Sequence, residues 1–381
     1  MQSDKRILIF PFGLLSHYLR CIVFVEKAYD KNKYEILFLG NPAYNKYIEE
    51  KGYKTFECEQ FDSQKVMECS EKFDFSWLNQ PDIERVMLSQ ISVIRELKPA
   101  IVIGDTAPSL KMAAEITGVE YHALMNGYMS KYYALTRKLS RTHKAYEYSK
   151  KVPEKYFNRI VDFAEAISFR LVHRPFKILR RKYKLKKVCE YLSEMEGDKN
   201  ILCDLPELFP QESLPSNYTF AGPLMYNSSQ KEGEWLAKMD ISKPVICVCM
   251  GSSGDWKKLD FLKSNYYSSF TIITGGDTNK ILSAPHIIAR DFLDLDEVLK
   301  VSKLMICHGG NGTIYHGLLN GVFMLCLTSH FEQEWNVDAL ERIGYGISAN
   351  DFSADDWKKW ITVSIQDKPD PFFYKGAAPA P

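Results

Sequence analysis

No stretch of this 381-residue chain approaches the eighteen or so consecutive apolar residues that a membrane-spanning helix needs. Its nine cysteines include no CxxC pair. No His/Cys/Asp cluster has metal-ligand spacing, so a cysteine-built metal or redox motif is not in prospect. The thiols read instead as reduced core residues of a cytoplasmic protein, with Cys247 and Cys249 on one face of a strand in "PVICVCM". Charge of one sign is missing too. A formal balance of +1 points to no nucleic acid or other polyanionic partner for the chain as a whole. There is no internal repeat within a domain and no low-complexity region. The start "MQSDKRILIFPFGLLSHYLR" has a basic flank and an apolar stretch, but the stretch is short and lacks a small-residue cleavage site, so it reads as a first strand.

A hydrophobic content of 45% spread over 381 residues is too much for one ordinary core and suggests two domains. Short β-rich runs alternate with helical patterns: "RILIFPF", an amphipathic stretch from Leu15 to about Tyr29, "YEILFLG", then "PAIVIGD" followed by "APSLKMAAEITG". The alternation begins again with "PVICVCMGS", "FTIITGG", "HIIARDF", "LMICHGG" and "VFMLCLT". Such βαβ order predicts an α/β protein of two Rossmann-like doubly wound domains, with ligands beyond the carboxyl ends of the strands. The proline-rich segment 205–224 suits an extended connection between them. The expected domains are residues 1–215 and 222–350, followed by a C-terminal helical tail over 351–375. Residues 376–381, "GAAPAP" with Lys375 before it, are set aside as a disordered tail.

Residues 131–190 are rich in lysine and arginine against only five acidic residues. Solvated helix faces, with the apolar residues packed inward, are the expectation. The alternative is peripheral contact of this basic region with anionic lipid, or with an acidic acceptor.

Chemistry gathers at strand ends. "CHGGNGTIYHG" places a glycine-rich turn between the strand "LMIC" and a helix, where free N–H groups attract negative charge. His308, Gly310, Asn311, Gly312 and Thr313 are candidate donors to a diphosphate. Ser252 and Ser253 in "MGSSGD" can reach the same anion, Phe292 offers an aromatic face to a nucleobase, and Glu332 with Gln333 can grip sugar hydroxyls. In the first half, His17 sits at the turn after the first strand and Asp105 ends another. An imidazole steadied by a carboxylate is a general base, although a cap of the following helix is an equally good use for Asp105. Tyr128 and Tyr132 either line an acceptor cleft or pack a helix.

The order aromatic, "HGGxGT", then acidic-Gln and Asn resembles the donor site of the UDP-glycosyltransferase superfamily, in its bacterial macrolide-glycosyltransferase-like branch. The likeness runs from about Pro285 to Ile347, and "NILCDLPELFP" through "TFAGPL" is similar to the segment preceding the family's second domain. It implies the GT-B fold, two Rossmann-like domains facing across a cleft. It also implies an inverting, metal-independent glycosyltransferase with no cofactor, moving sugar from a nucleotide diphosphate sugar to the hydroxyl of a small-molecule, lipid or natural-product acceptor. By this likeness Phe292 stacks on the base, His308 and Thr313 bind the diphosphate, Glu332 and Gln333 hold the sugar, and His17 with Asp105 forms the base. His316 stands where plant members carry a ribose-gripping acid, which leaves UDP and dTDP both open. Ser16 replaces the family's glycine before His17, and the carboxyl-terminal helical region is shorter than usual. The rival expectations are a sugar-nucleotide epimerase and a non-catalytic nucleotide-sugar-binding homologue.

Overall fold

The computed structural model describes residues 5–226, 235–236, 242–251, 254–276, 282–291, 293–366 and 369–372. It divides into one unit that runs to Tyr226 and a second spanning 227–375. Ser252, Ser253, Phe292 and the tail 376–381 lie outside the described residues.

The first unit holds seven parallel strands: β1 (Lys5–Pro11), β2 (Tyr34–Leu39), β3 (Lys54–Phe56), β4 (Ile101–Asp105), β5 (Glu120–Met125), β6 (Lys199–Leu202) and β7 (Tyr218–Phe220). They run in the order β3-β2-β1-β4-β5-β6-β7. Both faces are covered, and the period of two sorts the side chains. Leu8, Phe10 and Val102 face one core, while Ile7, Ile9 and Ile103 face the other. Helix α1 (Leu15–Ala28) buries Tyr18, Cys21, Ile22 and Val25, the i, i+3, i+4, i+7 stripe of a helix laid on a sheet. The remaining helices are α2 (Asn45–Glu50), α3 (Ser63–Glu71), α4 (Gln80–Leu97), α5 (Leu110–Thr117), α6 (Tyr146–Ser149), α7 (Glu154–Val172) and α8 (Arg174–Lys182). The proline-rich segment belongs partly to this unit: Leu205, Leu208 and Phe209 are buried, and β7 closes the sheet.

The second unit repeats the scheme with β8 (Val245–Cys249), β9 (Thr271–Gly275), β10 (Ile287–Arg290), β11 (Ser302–Cys307), β12 (Phe323–Cys326) and β13 (Gly346–Ser348). All pairings are parallel, in the order β10-β9-β8-β11-β12-β13. Its helices include α9 (Leu295–Val301), α10 (Asn311–Leu319), α11 (Phe331–Ile343) and α12 (Ala354–Ser364). Trp357 and Ile361 of α12 enter the core with Ile246, Val248 and Leu304, so the helix of the expected C-terminal tail is part of this core. Among the described residues no helix is long and apolar enough to cross a membrane. Each sheet reverses its strand order once, between β1 and β4 and between β8 and β11. A crevice forms beyond the strands at such a switch point.

Candidate active site

At the first switch point β1 and β4 run side by side, with Pro11 opposite Asp105. The chain leaves β1 through Phe12 and Gly13 and starts α1 at Leu15, which puts His17 in the first turn of the helix, half-buried. Its Nδ1 lies 3.0 Å from Oδ1 of Asp105. Phe12 sets its ring edge-on to the imidazole at 5.6 Å. Asp105 can only accept, so a proton on Nδ1 is the donor in this pair and leaves the lone pair of Nε2 free of the carboxylate; Nη2 of Arg20 lies 3.4 Å from the same Nδ1. Asp105 is not the cap of α5, whose N-cap is Ser109.

The sequence reading missed Arg20. One turn beyond His17, it clamps Asp105 with two nitrogens, Nε at 2.7 Å from Oδ2 and Nη2 on Oδ1. Its Nη1 binds Oδ1 of Asn126, just past β5, and the amide of Asn126 in turn donates to the Tyr128 hydroxyl. Burial by itself would raise the pKa of Asp105, but the Arg20 guanidinium and His17 outweigh it and hold the carboxyl well below the usual carboxylate range. The carboxylate is therefore ionised, fixed, and shared between a permanent cation and the imidazole. Thr106, next in the chain, takes a left-handed φ of 54°. Non-glycine residues hold such a conformation where the surroundings over-determine it, as they do beside this clamp. The i, i+3 spacing puts His17 and Arg20 on one helix face, but the carboxylate they share comes from a strand distant in sequence.

Tyr128, expected at an acceptor, is only 1% exposed and packs edge-on against Phe209 at 5.3 Å. It touches the site through Asn126 and not through a ligand-facing surface. Tyr132 sets its ring against Tyr218 at 5.2 Å. Tyr128 is thus a packed core residue, while Tyr132 is half-buried.

At the second switch point His308 follows β11. Its Nδ1 is 3.4 Å from the carbonyl of Cys249, which ends the neighbouring strand β8. Burial pushes the imidazole down to about 4, so it is neutral near pH 7. Two glycines make room for this ring. A Cβ on Gly251, whose φ is +56°, would stand 2.7 Å from His308 Cε1, and one on Gly310 would stand 2.3 Å from Nε2. Gly310 is also the N-cap of α10 and has no side chain to offer the first turn, which runs through Asn311, Gly312 and Thr313. Gly312 faces open space, and Thr313 reaches back to Cys249.

The neighbouring strand β12 leads into α11, whose N-cap, His330, makes no capping bond. Burial, and then His308 beside it, push His330 down to about 4. Nδ1 of His330 and Oδ1 of Asn336 are buried without a partner among the described residues. Asn336 donates its amide to the Gly309 carbonyl at 2.9 Å, tying α11 to the glycine turn. Glu332 is half-buried in the first turn of α11. Gln333 is buried, and its side-chain carbonyl accepts from the Ser329 amide at 2.7 Å, so it shapes this turn as well. His330, within the "SHFEQEWN" stretch, was passed over because only its acidic and amide neighbours suggested sugar recognition. His316 is committed to Asp296, 2.7 Å away.

No family model matches the chain. A PGL/p-HBAD biosynthesis glycosyltransferase of Mycobacterium tuberculosis is 25% identical over 357 residues, covering 91% of this chain and 81% of the relative. An inactive PGL/p-HBAD biosynthesis glycosyltransferase of Mycobacterium bovis is 25% identical over 260 residues, 66% of this chain and 68% of its own. Among solved structures, spinosyn rhamnosyltransferase SpnG complexed with thymidine diphosphate superposes with a TM-score of 0.68 at 15% identity, over 95% of this chain and 92% of the other. With two doubly wound sheets the chain has the GT-B fold of these glycosyltransferases, and its sequence is similar to that of the mycobacterial glycosyltransferases along most of its length.

Proposed function

We propose that the protein transfers a sugar, with inversion and without a metal or cofactor, from a nucleoside diphosphate sugar to an acceptor hydroxyl. One observation carries this reading: His17 Nδ1 lies 3.0 Å from a carboxylate that is buried and held ionised. That pairing leaves Nε2 as the acceptor of the hydroxyl proton, and Asp105 steadies the imidazolium that results. Arg20 fixes the carboxylate's orientation and keeps it from taking the proton itself. The hydroxyl oxygen, stripped of its proton, attacks the anomeric carbon from the face opposite the diphosphate, and the C–O bond to the diphosphate breaks.

Charge then builds on the leaving diphosphate. The glycine-rich first turn of α10, with the helix dipole behind it, supports a site for that anion in the second unit. His308, His330 and Asn336 gather polar atoms beside it, and Glu332 with Gln333 are proposed for the sugar. Thymidine diphosphate in SpnG makes dTDP as fitting a nucleotide as UDP. Ser252, Ser253 and Phe292 keep their expected roles as proposals.

The inactive relative defines the rival reading, a chain that binds nucleotide and transfers nothing. The intact His17–Asp105 pair favours catalysis. His17→Ala should abolish transfer while leaving the thermal shift with UDP or dTDP unchanged. A fully active variant would remove the base from the mechanism.

A further inference from the structure

Helix α7 is apolar on two opposite faces. Val161, Phe169 and Val172 turn inward, with Val161 buried. On the other side Tyr156, Ile160, Phe163, Ile167 and Leu171 recur at i, i+4, i+7, i+11 and i+15, one continuous stripe. These five are between 41% and 71% exposed, and Ile178 of α8 extends the patch at 49%. An apolar helix face of this length normally goes into a core, and one left outside marks an interaction surface. The sequence expectation that these residues pack inward therefore holds for only one of the two faces.

The helix is not loosely attached. Arg137 joins Glu165, on its inner face, at 2.6 Å, and also donates to the carbonyls of Tyr128 and Ser130 at 2.5 and 2.7 Å. Arg180 of α8 is held by Glu194 and Glu115. The inner sides of both helices are thus pinned, α7 through the segment that follows Asn126, and the outer stripe is a fixed platform.

Charge chooses the occupant. Lys155, Arg159, Arg170, Arg174, Lys177 and Arg181 are all exposed on α7 and α8, and none forms an ion pair among the described residues. Among the described side chains of α7, Asp162 is the exposed acidic one. A second copy of the chain would bring two such cationic rims together. We propose that the outer face of α7 and α8 docks on an anionic lipid bilayer. The stripe enters the boundary between headgroups and acyl chains, and the long basic side chains reach lipid phosphates at its rim. This surface stands independently of the transfer reaction.

The full chain should co-sediment with vesicles of phosphatidylcholine containing about 30% phosphatidylglycerol, and at least about tenfold less with phosphatidylcholine alone. Binding should weaken as salt rises from about 0.1 M towards 1 M, where the screening length contracts to about 3 Å. The triple variant Ile160→Ser, Phe163→Ser, Ile167→Ser should lose at least about tenfold in vesicle binding with little change in melting temperature, because none of the three side chains is buried. Arg159→Glu with Arg170→Glu tests the rim separately and should lose the preference for anionic lipid. The proposal is overturned if the wild-type chain ignores anionic vesicles, or if the triple variant binds them undiminished. It is equally overturned if the wild-type chain dimerises in lipid-free solution and the triple variant does not.

Discussion

Replacing Arg20 by methionine removes the permanent cation from a carboxylate that is fully buried. Breaking one side of a buried ion pair typically costs about 3–5 kcal/mol. The fold can limit that loss by protonating Asp105. For a carboxyl that titrates near 3.9 when unfolded, protonation costs roughly 4 kcal/mol at pH 7 and roughly 1.5 kcal/mol at pH 5. In the wild-type protein the folded pKa of Asp105 is depressed, so between pH 5 and 7 it is ionised whether folded or not and adds no slope. In Arg20→Met the folded pKa rises above the unfolded one. The native state then binds the extra proton, and stability falls as pH rises by up to about 1.4 kcal/mol per unit. Loss of the Asn126 bond adds about 1 kcal/mol at every pH. Urea unfolding of wild type and variant at pH 5, 6 and 7 measures the difference directly. Adding Asp105→Asn to the variant should abolish the slope. A loss below about 1 kcal/mol at pH 7, or one equal at pH 5 and pH 7, would refute the account of Arg20 as the counter-charge that keeps Asp105 ionised.

His308 offers a test of opposite sign. Its folded pKa of about 4 lies below the usual histidine value, so the unfolded chain takes the proton first on acidification, and stability is lost as pH falls from 6.5 towards 4. His308→Gln should flatten that acid slope by up to roughly 3 kcal/mol, read from urea midpoints at pH 4 and pH 7. Gly310→Ala places a methyl against the buried His308 ring and should weaken dTDP or UDP binding by about tenfold in calorimetry, with a lowered melting temperature because the ring must shift. Unaltered binding would mean that the ring's position is unimportant to the anion.

Elements with one strong apolar period were legible in the sequence. The stretch expected as a helix from Leu15 to about Tyr29 is α1, Leu15–Ala28, and the five strands expected in the second half are β8 to β12. The rest lacked such a signal. β5 carries His122 in mid-strand, held by Tyr29 and Glu120, which interrupts its apolar run, and β13 is only three residues long. The Asp105 clamp was hidden because it depends on which strands become neighbours. β1 and β4 are about ninety residues apart in sequence, and only their adjacency puts Arg20 on the carboxylate. The double-faced α7 was illegible for a different reason: periodicity shows that two faces are apolar but cannot say which one the core accepts.

The strand order 3-2-1-4-5-6 occurs twice, and each half opens its crevice at the same topological position whatever residues its loops carry. Backbone topology alone thus supplies two ready-made receptacles, and the turns that decorate them lie on separate stretches of polypeptide. Exchanging residues 1–226 with those of a relative should change which alcohol is accepted and leave nucleotide preference where it was.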